Sequence, residues 1–266
     1  MSEDPQGGID RPALRARVYL RSVLPLVKVV MEDDPQTAAL FAGVTARVQL
    51  ETADARHGAC LCFENGALSV EPQPREAAQV AVRWVFRDVQ ALNSFFAGQP
   101  VLPRIIGLRH PRLLWKTTRL LSSLRILHPQ RQPKSAADRQ LRVKLLLYLV
   151  THALGQLYHG GHATMNELVQ ASPERVYQWT VASANIGAYL RMHAGRVKAG
   201  RGTYSRRRPF VHFLFPDVEA ALAVLTATGS QMSGVRSGQV QTFGSPEYTR
   251  KISLLMQKVD ALLVEG

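Results

Sequence analysis

Residues 58–70 read GACLCFENGALSV and residues 80–96 read VAVRWVFRDVQALNSFF. The Asn65-Gly66 dipeptide between two apolar runs is the strongest short signal of a β-hairpin, because both residues tolerate a positive φ. The second stretch alternates with period two, as a strand does, and then meets Asp88, which suits the cap of a helix N-terminus. The order of hairpin, strand and helix predicts a fold that mixes α and β structure.

The chain repeats this arrangement once. Residues 187–199 read GAYLRMHAGRVKA and residues 209–225 read PFVHFLFPDVEAALAVL. The positions of Gly58 and Gly187 differ by 129 (187−58), and the capping aspartates Asp88 and Asp217 keep the same offset, so no net insertion separates hairpin from helix. A repeat of this length is too long for a solenoid unit and predicts two duplicated globular domains.

The rest of the chain fits two α/β (α+β) domains. We assign residues 1–10 to a flexible tail, 11–127 to the first domain, 128–137 to a linker and 138–266 to the second domain. Each domain should have a mainly antiparallel five-stranded sheet covered by helices. Residues 141–157 include a run that is apolar all round, which predicts a helix buried between layers.

The two copies differ before their last helix. The positions of Pro111 and Pro246, at the start of the predicted final helices, differ by 135 (246−111), so the second copy carries six more residues (135−129). We expect these residues to restore a strand at 238–244 that the first copy shortens to its segment 105–108.

The chain is strongly basic, with a formal net charge of +13 and a sequence pI of about 10.3. Between Arg104 and Lys144 there are eleven Lys or Arg and one acid, and between Arg191 and Arg208 there are seven and no acid. Such clusters favour a polyanionic partner. The candidate contacts to an anionic surface are Arg112, Lys116, Arg119, Arg206, Arg207 and Arg208.

Three explanations fit this charge. An anionic membrane surface is preferred, because a polybasic cluster gains about 1 kcal/mol per residue near anionic lipid. Nucleic acid fits the charge as well, but the aromatic residues recur at core spacing and not as an exposed stacking platform, so this partner is not expected. A solvated basic face with no partner is the third explanation.

The cysteines and the amino terminus indicate the compartment. Cys60 and Cys62 are the only cysteines, and their spacing is neither a metal nor a redox motif, so we expect reduced residues in or near the core. The first ten residues, MSEDPQGGID, are acidic where a secretory signal would be basic. No apolar run approaches the roughly 18–20 residues of a membrane span. We expect a cytoplasmic protein that associates peripherally with membranes.

No motif for a cofactor, a metal or catalysis stands out. Residues 195–203 come close to a phosphate-binding loop but lack its Lys and correctly placed Ser or Thr, and the repeat explains Gly195 as a hairpin turn. His159 and His162 flank a Gly-Gly helix end, where imidazoles suit the negative end of the dipole, and with His152 they are not expected to bind metal. We predict no cofactor, no metal and no enzymatic activity.

The order of these features resembles the sterol carrier protein-2 family. The pattern is a hairpin with a Gly turn, a strand running into a D-[VI]-x-x-L helix, a G-x-[VI]-x-x-x-G segment and a closing amphipathic helix. In the second copy the matching residues are Gly195, Phe213, Phe215, Asp217, Val218, Gly238, Val240, Gly244, Ile252, Leu255 and Val259. In the first copy they are Gly66, Trp84, Phe86, Asp88, Val89 and Leu92, and the glycine segment is degraded. The resemblance covers most of both halves and rests mainly on structural residues.

The resemblance implies an apolar tunnel between sheet and helices that binds a sterol, fatty acyl or isoprenoid lipid. In the first domain the tunnel would be lined by Val82, Trp84, Phe86, Leu92, Phe95, Phe96, Leu113 and Leu120. In the second it would be lined by Val211, Phe213, Phe215, Leu222, Leu225, Ile252, Leu255 and Val259. Aromatic residues at strand or helix spacing also occur in an ordinary core, so the pattern alone leaves that alternative open.

We therefore expect non-catalytic binding of a hydrophobic lipid, with transfer between membranes and docking through the basic surface. The alternative is an accessory scaffold that presents a hydrophobic biosynthetic intermediate, for example a quinone precursor, to a partner enzyme.

Overall fold

The computed structural model describes residues 10–128, 131–170, 173–226 and 240–264. The described residues belong to two compact units, which we name the first unit (10–128) and the second unit (all described residues from 131 onward). Residues 1–9 of the predicted tail and residues 129 and 130 of the predicted linker lie outside the described residues. Within the described ranges, no helix has the length and apolar character needed to cross a membrane.

The first unit begins with helices and continues with a sheet. Its helices are α1 (Arg11–Val18), α2 (Leu26–Asp33), α3 (Pro35–Leu40), α4 (Val89–Phe96) and α5 (Pro111–Ser123). Its strands are β1 (Ala46–Thr52), β2 (Gly58–Glu64), β3 (Ala67–Glu71), β4 (Val82–Phe86) and β5 (Arg104–Ile106). A π-helical turn at Tyr19–Val23 follows α1, and Pro25 separates it from α2, since proline lacks the N–H that a continuous helix needs.

The second unit is built around one long helix. Its helices are α6 (Ala136–His159), α7 (Ala163–Gln170), α8 (Val218–Thr226) and α9 (Pro246–Val264). Its strands are β6 (Arg175–Val181), β7 (Ile186–His193), β8 (Arg196–Arg201), β9 (Val211–Phe215) and β10 (Gln241–Gly244). A reciprocal capping box of Ser135 and Asp138 starts α6, just before the predicted domain boundary at 138. The helix contacts β7, β8, α8 and α9, which explains its apolar character on several sides.

Both sheets have the same strand order, β3-β2-β1-β4-β5 in the first unit and β8-β7-β6-β9-β10 in the second. Among the described strands, the central pairs β1/β4 and β6/β9 are parallel and the other neighbours are antiparallel. The registers agree as well: Leu50 pairs with Trp84, and Trp179 pairs with Phe213 at the positions shifted by the repeat offset. The predicted fold class, two mainly antiparallel five-stranded sheets covered by helices, is confirmed.

The predicted hairpin turns are present in both units. Asn65 and Gly66 have φ of 49° and 87°, and Ala194 and Gly195 have φ of 48° and 70°. Two successive positive φ values define the turn whose twist matches that of paired strands. Gly195 is therefore a turn residue of the β7–β8 hairpin, as predicted, and does not form a phosphate loop.

The last strand of each sheet ends at a glycine held against the neighbouring strand. Gly107 has φ of 100° and Gly244 has φ of 109°. A Cβ on Gly107 would lie 2.1 Å from the carbonyl oxygen of Ala81, and a Cβ on Gly244 would lie 2.1 Å from that of Phe210. Because Ala81 and Phe210 are separated by the repeat offset (210−81 = 129), the two glycines are structurally equivalent.

This equivalence corrects the expectation that the six extra residues restore a strand. β5 spans three residues and β10 spans four, including its final glycine. The positions of the equivalent glycines differ by 137 (244−107), more than the 135 (246−111) of the helix starts, so the added residues precede β10 and do not lengthen it. The first two residues of the predicted strand 238–244 lie outside the described residues.

Candidate functional site

The first unit gathers aromatic side chains between β4 and α4. Trp84 lies edge-to-face with Phe95, with ring centroids 5.8 Å apart, and Phe86 lies 5.1 Å from the same ring. Phe96 is 5.6 Å from Phe95 and stacks on Tyr19 at 5.2 Å. Four of these residues were predicted to line a lipid site, whereas Tyr19 was missed because nothing in its own helix links it to α4.

The other predicted lining residues of the first unit occupy two places. Val82 and Leu92 are buried, on β4 and α4. Leu113 is half-buried and Leu120 is buried on α5, a helix that packs against α2. The structure brings six of the eight residues together on β4 and α4. The role of all eight as the lining of a lipid site stays a prediction.

A capping aspartate fixes the helix that completes each cluster. The Asp88 carboxylate accepts a hydrogen bond from the Ala91 backbone N–H at 2.8 Å, and Asp217 accepts one from Ala220 at 2.8 Å. The backbone hydrogen bond and the Arg87 guanidinium lower the pKa of Asp88. The same cap therefore starts α4 and α8 directly after β4 and β9.

In the second unit the centre of the apolar layer is a stacked pair. Trp179 on β6 lies parallel to Phe213 on β9, with ring centroids 5.2 Å apart. Trp179 was not among the predicted site residues. It is the equivalent of Leu50, which pairs with Trp84, so the repeat places Trp179 opposite Phe213. The buried predicted residues of this unit are Val211, Phe213 and Phe215 on β9 and Ile252, Leu255 and Val259 on α9. Leu222 and Leu225 are half-buried on α8.

Each unit places one tryptophan in the same cross-strand pair, but on opposite strands. In the first unit the tryptophan is Trp84 on β4, opposite Leu50, and in the second it is Trp179 on β6, opposite Phe213. Both indole Nε1 atoms are buried, and neither has a hydrogen-bond partner among the described residues. An unpaired buried N–H is costly, so this shared feature needs an explanation.

The opposite face of each sheet carries a polar network at matching positions. In the first unit Arg83 donates from Nε to Glu51 Oε1 at 2.7 Å, and the Glu51 side chain is buried. In the second unit the equivalent pair is Thr180 and His212, with 2.7 Å between Oγ1 and Nε2. Burial lowers the pKa of His212.

A glutamine in each network holds the loop that covers this face. Gln49 Oε1 accepts from the Arg75 N–H at 2.7 Å, and Gln178 Oε1 accepts from the Tyr204 N–H at 2.9 Å. Both members of this contact are related by the repeat offset (178−49 = 204−75 = 129). The networks therefore close one face of each sheet and leave the helix-covered face as the candidate site.

The two cysteines lie in the core of the first unit. Cys60 and Cys62 are buried and free, and their Sγ atoms are 3.6 Å apart. Burial raises the pKa of Cys60 to about 12, so its thiol stays protonated at neutral pH.

The predicted anion-contact residues differ in their surroundings. Arg112 and Arg119 are exposed and Lys116 is half-buried on α5, where the Arg119 guanidinium lies 5.7 Å from the centroid of the Trp115 ring. In the second unit Arg207 pairs with Glu174 at 3.2 Å. Arg206 and Arg208 are exposed beside it.

No metal centre is evident in the described ranges, where no three His, Cys, Asp or Glu side chains come together. His152 Nδ1 lies 2.8 Å from the carbonyl oxygen of Tyr148, one turn earlier in α6. Burial lowers the pKa of this histidine, and the charge of Arg201 acts in the same direction.

Comparison with known proteins finds distant structural likenesses. No family model and no curated protein sequence matches the chain. The solved structure of a "UbiJ-SCP2 Ubiquinone synthesis protein" is similar over 42% of this chain and 93% of that one, with 13% identity and a TM-score of 0.31.

Two sec-alkyl sulfatase structures are also similar, each over 28% of its own length. A double mutant of PisA1 covers 56% of this chain with 9% identity and a TM-score of 0.27. The stereoselective inverting enzyme Pisa1 from Pseudomonas sp. covers 55% with 11% identity and a TM-score of 0.23. Scores this low carry no conclusion about the fold or activity of this chain.

Proposed function

We propose that the protein binds a hydrophobic lipid between sheet and helices, and that a tryptophan N–H at the sheet centre donates a hydrogen bond to an oxygen of that lipid. The supporting observation is the pair of buried, unpartnered indole N–H groups of Trp84 and Trp179 in the described part of the chain. They occupy the same cross-strand pair in both units. The protein acts by binding and does not catalyse a reaction.

Packing at these two positions does not require an indole N–H. The position equivalent to Trp179 is Leu50, and the position equivalent to Trp84 is Phe213. Side chains without a polar atom are therefore accommodated at both places. Leaving a buried N–H unpaired costs about 1–3 kcal/mol, so an acceptor supplied by a ligand would account for the retained indoles.

A lipid with an oxygen-bearing end matches this layer. Sterol hydroxyl, acyl carbonyl and quinone carbonyl groups all accept hydrogen bonds, and the remainder of such molecules is apolar. The surrounding aromatic and aliphatic residues gain about 0.8 kcal/mol for each CH₂ group that they remove from water. The carbonyl or hydroxyl would lie near the indole and the hydrocarbon between the strand and its helix.

The second unit is the stronger candidate. Trp179 is 1% exposed and stacks parallel to Phe213, so the ring of Phe213 does not face its in-plane N–H. Trp84 has Phe95 edge-to-face beside it, and an aromatic face can act as a weak acceptor. The unmet demand for an acceptor is therefore greater at Trp179.

Delivery would occur at an anionic membrane, as a cytoplasmic protein that associates peripherally. The basic residues of both units supply attraction to anionic headgroups, which decays within a Debye length. An accessory scaffold that holds a hydrophobic intermediate for a partner enzyme remains the alternative. It differs in forming a stable protein complex and in showing little transfer of lipid between vesicles.

The test is solvent extraction of the purified full-length protein, followed by mass spectrometry and by titration with a fluorescent fatty acid and a fluorescent sterol. Trp179→Phe keeps the ring stack and removes the N–H, and should weaken binding of the matching probe by up to about tenfold. Trp84→Phe should have a smaller effect, and Trp115→Phe, at an exposed residue, should have none. Absence of lipid and of probe binding, or equal binding by all variants, would refute the proposal.

A further inference from the structure

A short segment of the first unit exposes an unusual amount of apolar surface. Leu102 is 97% exposed, Leu108 is 68% exposed and Trp115 is 54% exposed, with Ile106 less so. Of the seven large apolar side chains that are exposed in the described ranges, these four fall within fourteen residues. We name residues 102–119 the interfacial segment. A stretch of chain that exposes this many apolar side chains is a candidate interaction surface.

The same segment carries positive charge that the fold does not neutralise. Its basic residues are Arg104, Arg109, Arg112, Lys116 and Arg119. No acidic residue occurs between Asp88 and Asp138. Within the described residues, no ion pair joins any of the five to a carboxylate. Among the described residues, the segment therefore carries cations that no carboxylate neutralises, in the same stretch as its exposed apolar side chains.

Helical spacing places part of this set on one face of α5. Arg112, Trp115, Lys116 and Arg119 follow at i, i+3, i+4 and i+7, which is one side of a helix. The buried residues of α5 are Thr117, Leu120 and Leu121. Arg119 lies over the Trp115 ring, and Lys and Arg beside an exposed indole are typical of residues at a membrane–water interface.

Leu108 is exposed three residues before the start of this helix. It lies in the turn after β5, where the His110 N–H donates to the Gly107 carbonyl at 3.0 Å. Gly107, directly before Leu108, packs against the backbone of Ala81. The helix begins at Pro111, soon after Leu108, and Trp115 is about 6 Å further along the helix axis.

We propose that the interfacial segment docks the first unit on a bilayer that contains anionic phospholipid. Trp115 and Leu108 enter the boundary between headgroups and acyl chains, and the basic residues contact phosphate. This rests on the proposed function and deepens its docking step, and it concerns the outer surface, independent of any lipid held inside. A bilayer fits better than nucleic acid, because exposed leucines beside a single indole do not form a base-stacking platform.

The second unit offers a poorer surface for the same purpose. Its basic run from Arg191 to Arg208 is partly neutralised, because Glu174 pairs with both Arg191 and Arg207. Phe243, Leu254 and Val264, its exposed large apolar residues among those described, lie outside that run. The first unit is therefore the better docking surface of the two.

The test is co-sedimentation of the full-length protein with vesicles of phosphatidylcholine alone or of phosphatidylcholine with phosphatidylglycerol. Wild type should sediment with the mixed vesicles, less so at high salt, with a blue shift of Trp115 emission read in a Trp84→Phe, Trp179→Phe background. Trp115→Ala should weaken vesicle binding by about tenfold. The matched control is Phe243→Ala, an exposed aromatic of the second unit, which should bind like wild type.

A charge variant separates the electrostatic contribution to vesicle binding from the apolar contribution. Replacing Arg112, Lys116 and Arg119 by Gln should remove most of the salt-sensitive binding, whereas the same change at Arg206, Arg207 and Arg208 should remove less. Unchanged sedimentation of Trp115→Ala and of the α5 charge variant would overturn the proposal. A second result would also overturn it: the wild-type protein binds nucleic acid and not vesicles, and the same variants lose that nucleic-acid binding.

Internal lipid binding is scored separately in the same preparations. Trp115→Ala should keep its extractable lipid while losing vesicle binding, and Trp179→Phe should show the reverse. Failure of docking and failure of the internal site are thereby distinguishable. Thermal unfolding of each variant confirms that the exposed substitutions leave the fold intact.

Discussion

In the first unit the indole at the sheet centre belongs to β4 and faces Leu50 across the parallel pair, whereas in the second unit it belongs to β6 and stacks on Phe213. The opposite face differs too: an ion pair of Arg83 with Glu51 in one unit corresponds to a neutral contact of His212 with Thr180 in the other. Strand order and register are nevertheless the same. The comparison shows that this sheet constrains which positions meet and leaves open which member of a pair carries the bulk or the charge.

The largest expected difference between the units concerns the polar pair. Arg83→Ala would leave the buried Glu51 carboxylate without its cation and should lower the free energy of unfolding of the first unit by about 3–5 kcal/mol. His212→Ala leaves only the Thr180 hydroxyl and should lower that of the second unit by about 1 kcal/mol. Hydrogen exchange of peptides from each unit measures both. The double change of Glu51→Thr with Arg83→His, which transplants the second pair, serves as the control. Equal losses in the two single variants would contradict the comparison.

The closing glycines should respond alike if the units are equivalent there. Gly107→Ala and Gly244→Ala each place a Cβ against a carbonyl oxygen at a positive φ, and each should destabilise its unit by about 1–3 kcal/mol. Gly161→Ala is the control, because φ is 81° and a Cβ there has no neighbour within 4 Å. Gly161→Ala should lower the free energy of unfolding by less, and the difference measures the cost of the contact between the Cβ and the carbonyl oxygen. A clear loss at only one of the two strand ends would break the proposed equivalence.

The smallest effect expected is a dependence on pH that is specific to the second unit. Burial lowers the pKa of His152 and His212, both in that unit. An unfolded imidazole titrates near a pH of about 6.5. As the pH falls from there toward the lower folded pKa values, the unfolded chain binds more protons and the free energy of unfolding falls. Hydrogen exchange on either side of this window should show the loss, and His212→Gln should reduce it. An equal response in the first unit, where Arg83 replaces His212, would argue against this assignment.

The local features were the most predictable from sequence. The two hairpin turns, the caps at Asp88 and Asp217 and the alternation of β4 each follow from a few neighbouring residues and from backbone geometry. The constant repeat offset then carried the assignment from one half of the chain to the other. Two five-stranded sheets covered by helices could be predicted on these grounds.

Contacts between distant residues were less predictable. Tyr19 joins the cluster around Phe95 and Phe96 from a helix much earlier in the chain, and no local pattern marks that contact. Trp115 lies on a helix whose other face is apolar, so the sequence alone does not indicate that its indole is exposed. The length of the last strand was misjudged, because the Gly107 contact with Ala81 depends on strand pairing and not on a motif.

The sequence by itself determined the repeat, the turns, the order of elements and the excess of positive charge, because these depend on residues close together in the chain or on composition. The tertiary structure alone decided which side chains share a layer, where an indole N–H is left without a partner in the described ranges and which basic residues there lack a carboxylate. These properties depend on pairings between residues far apart in the chain, and burial in the folded state sets their energetic consequences.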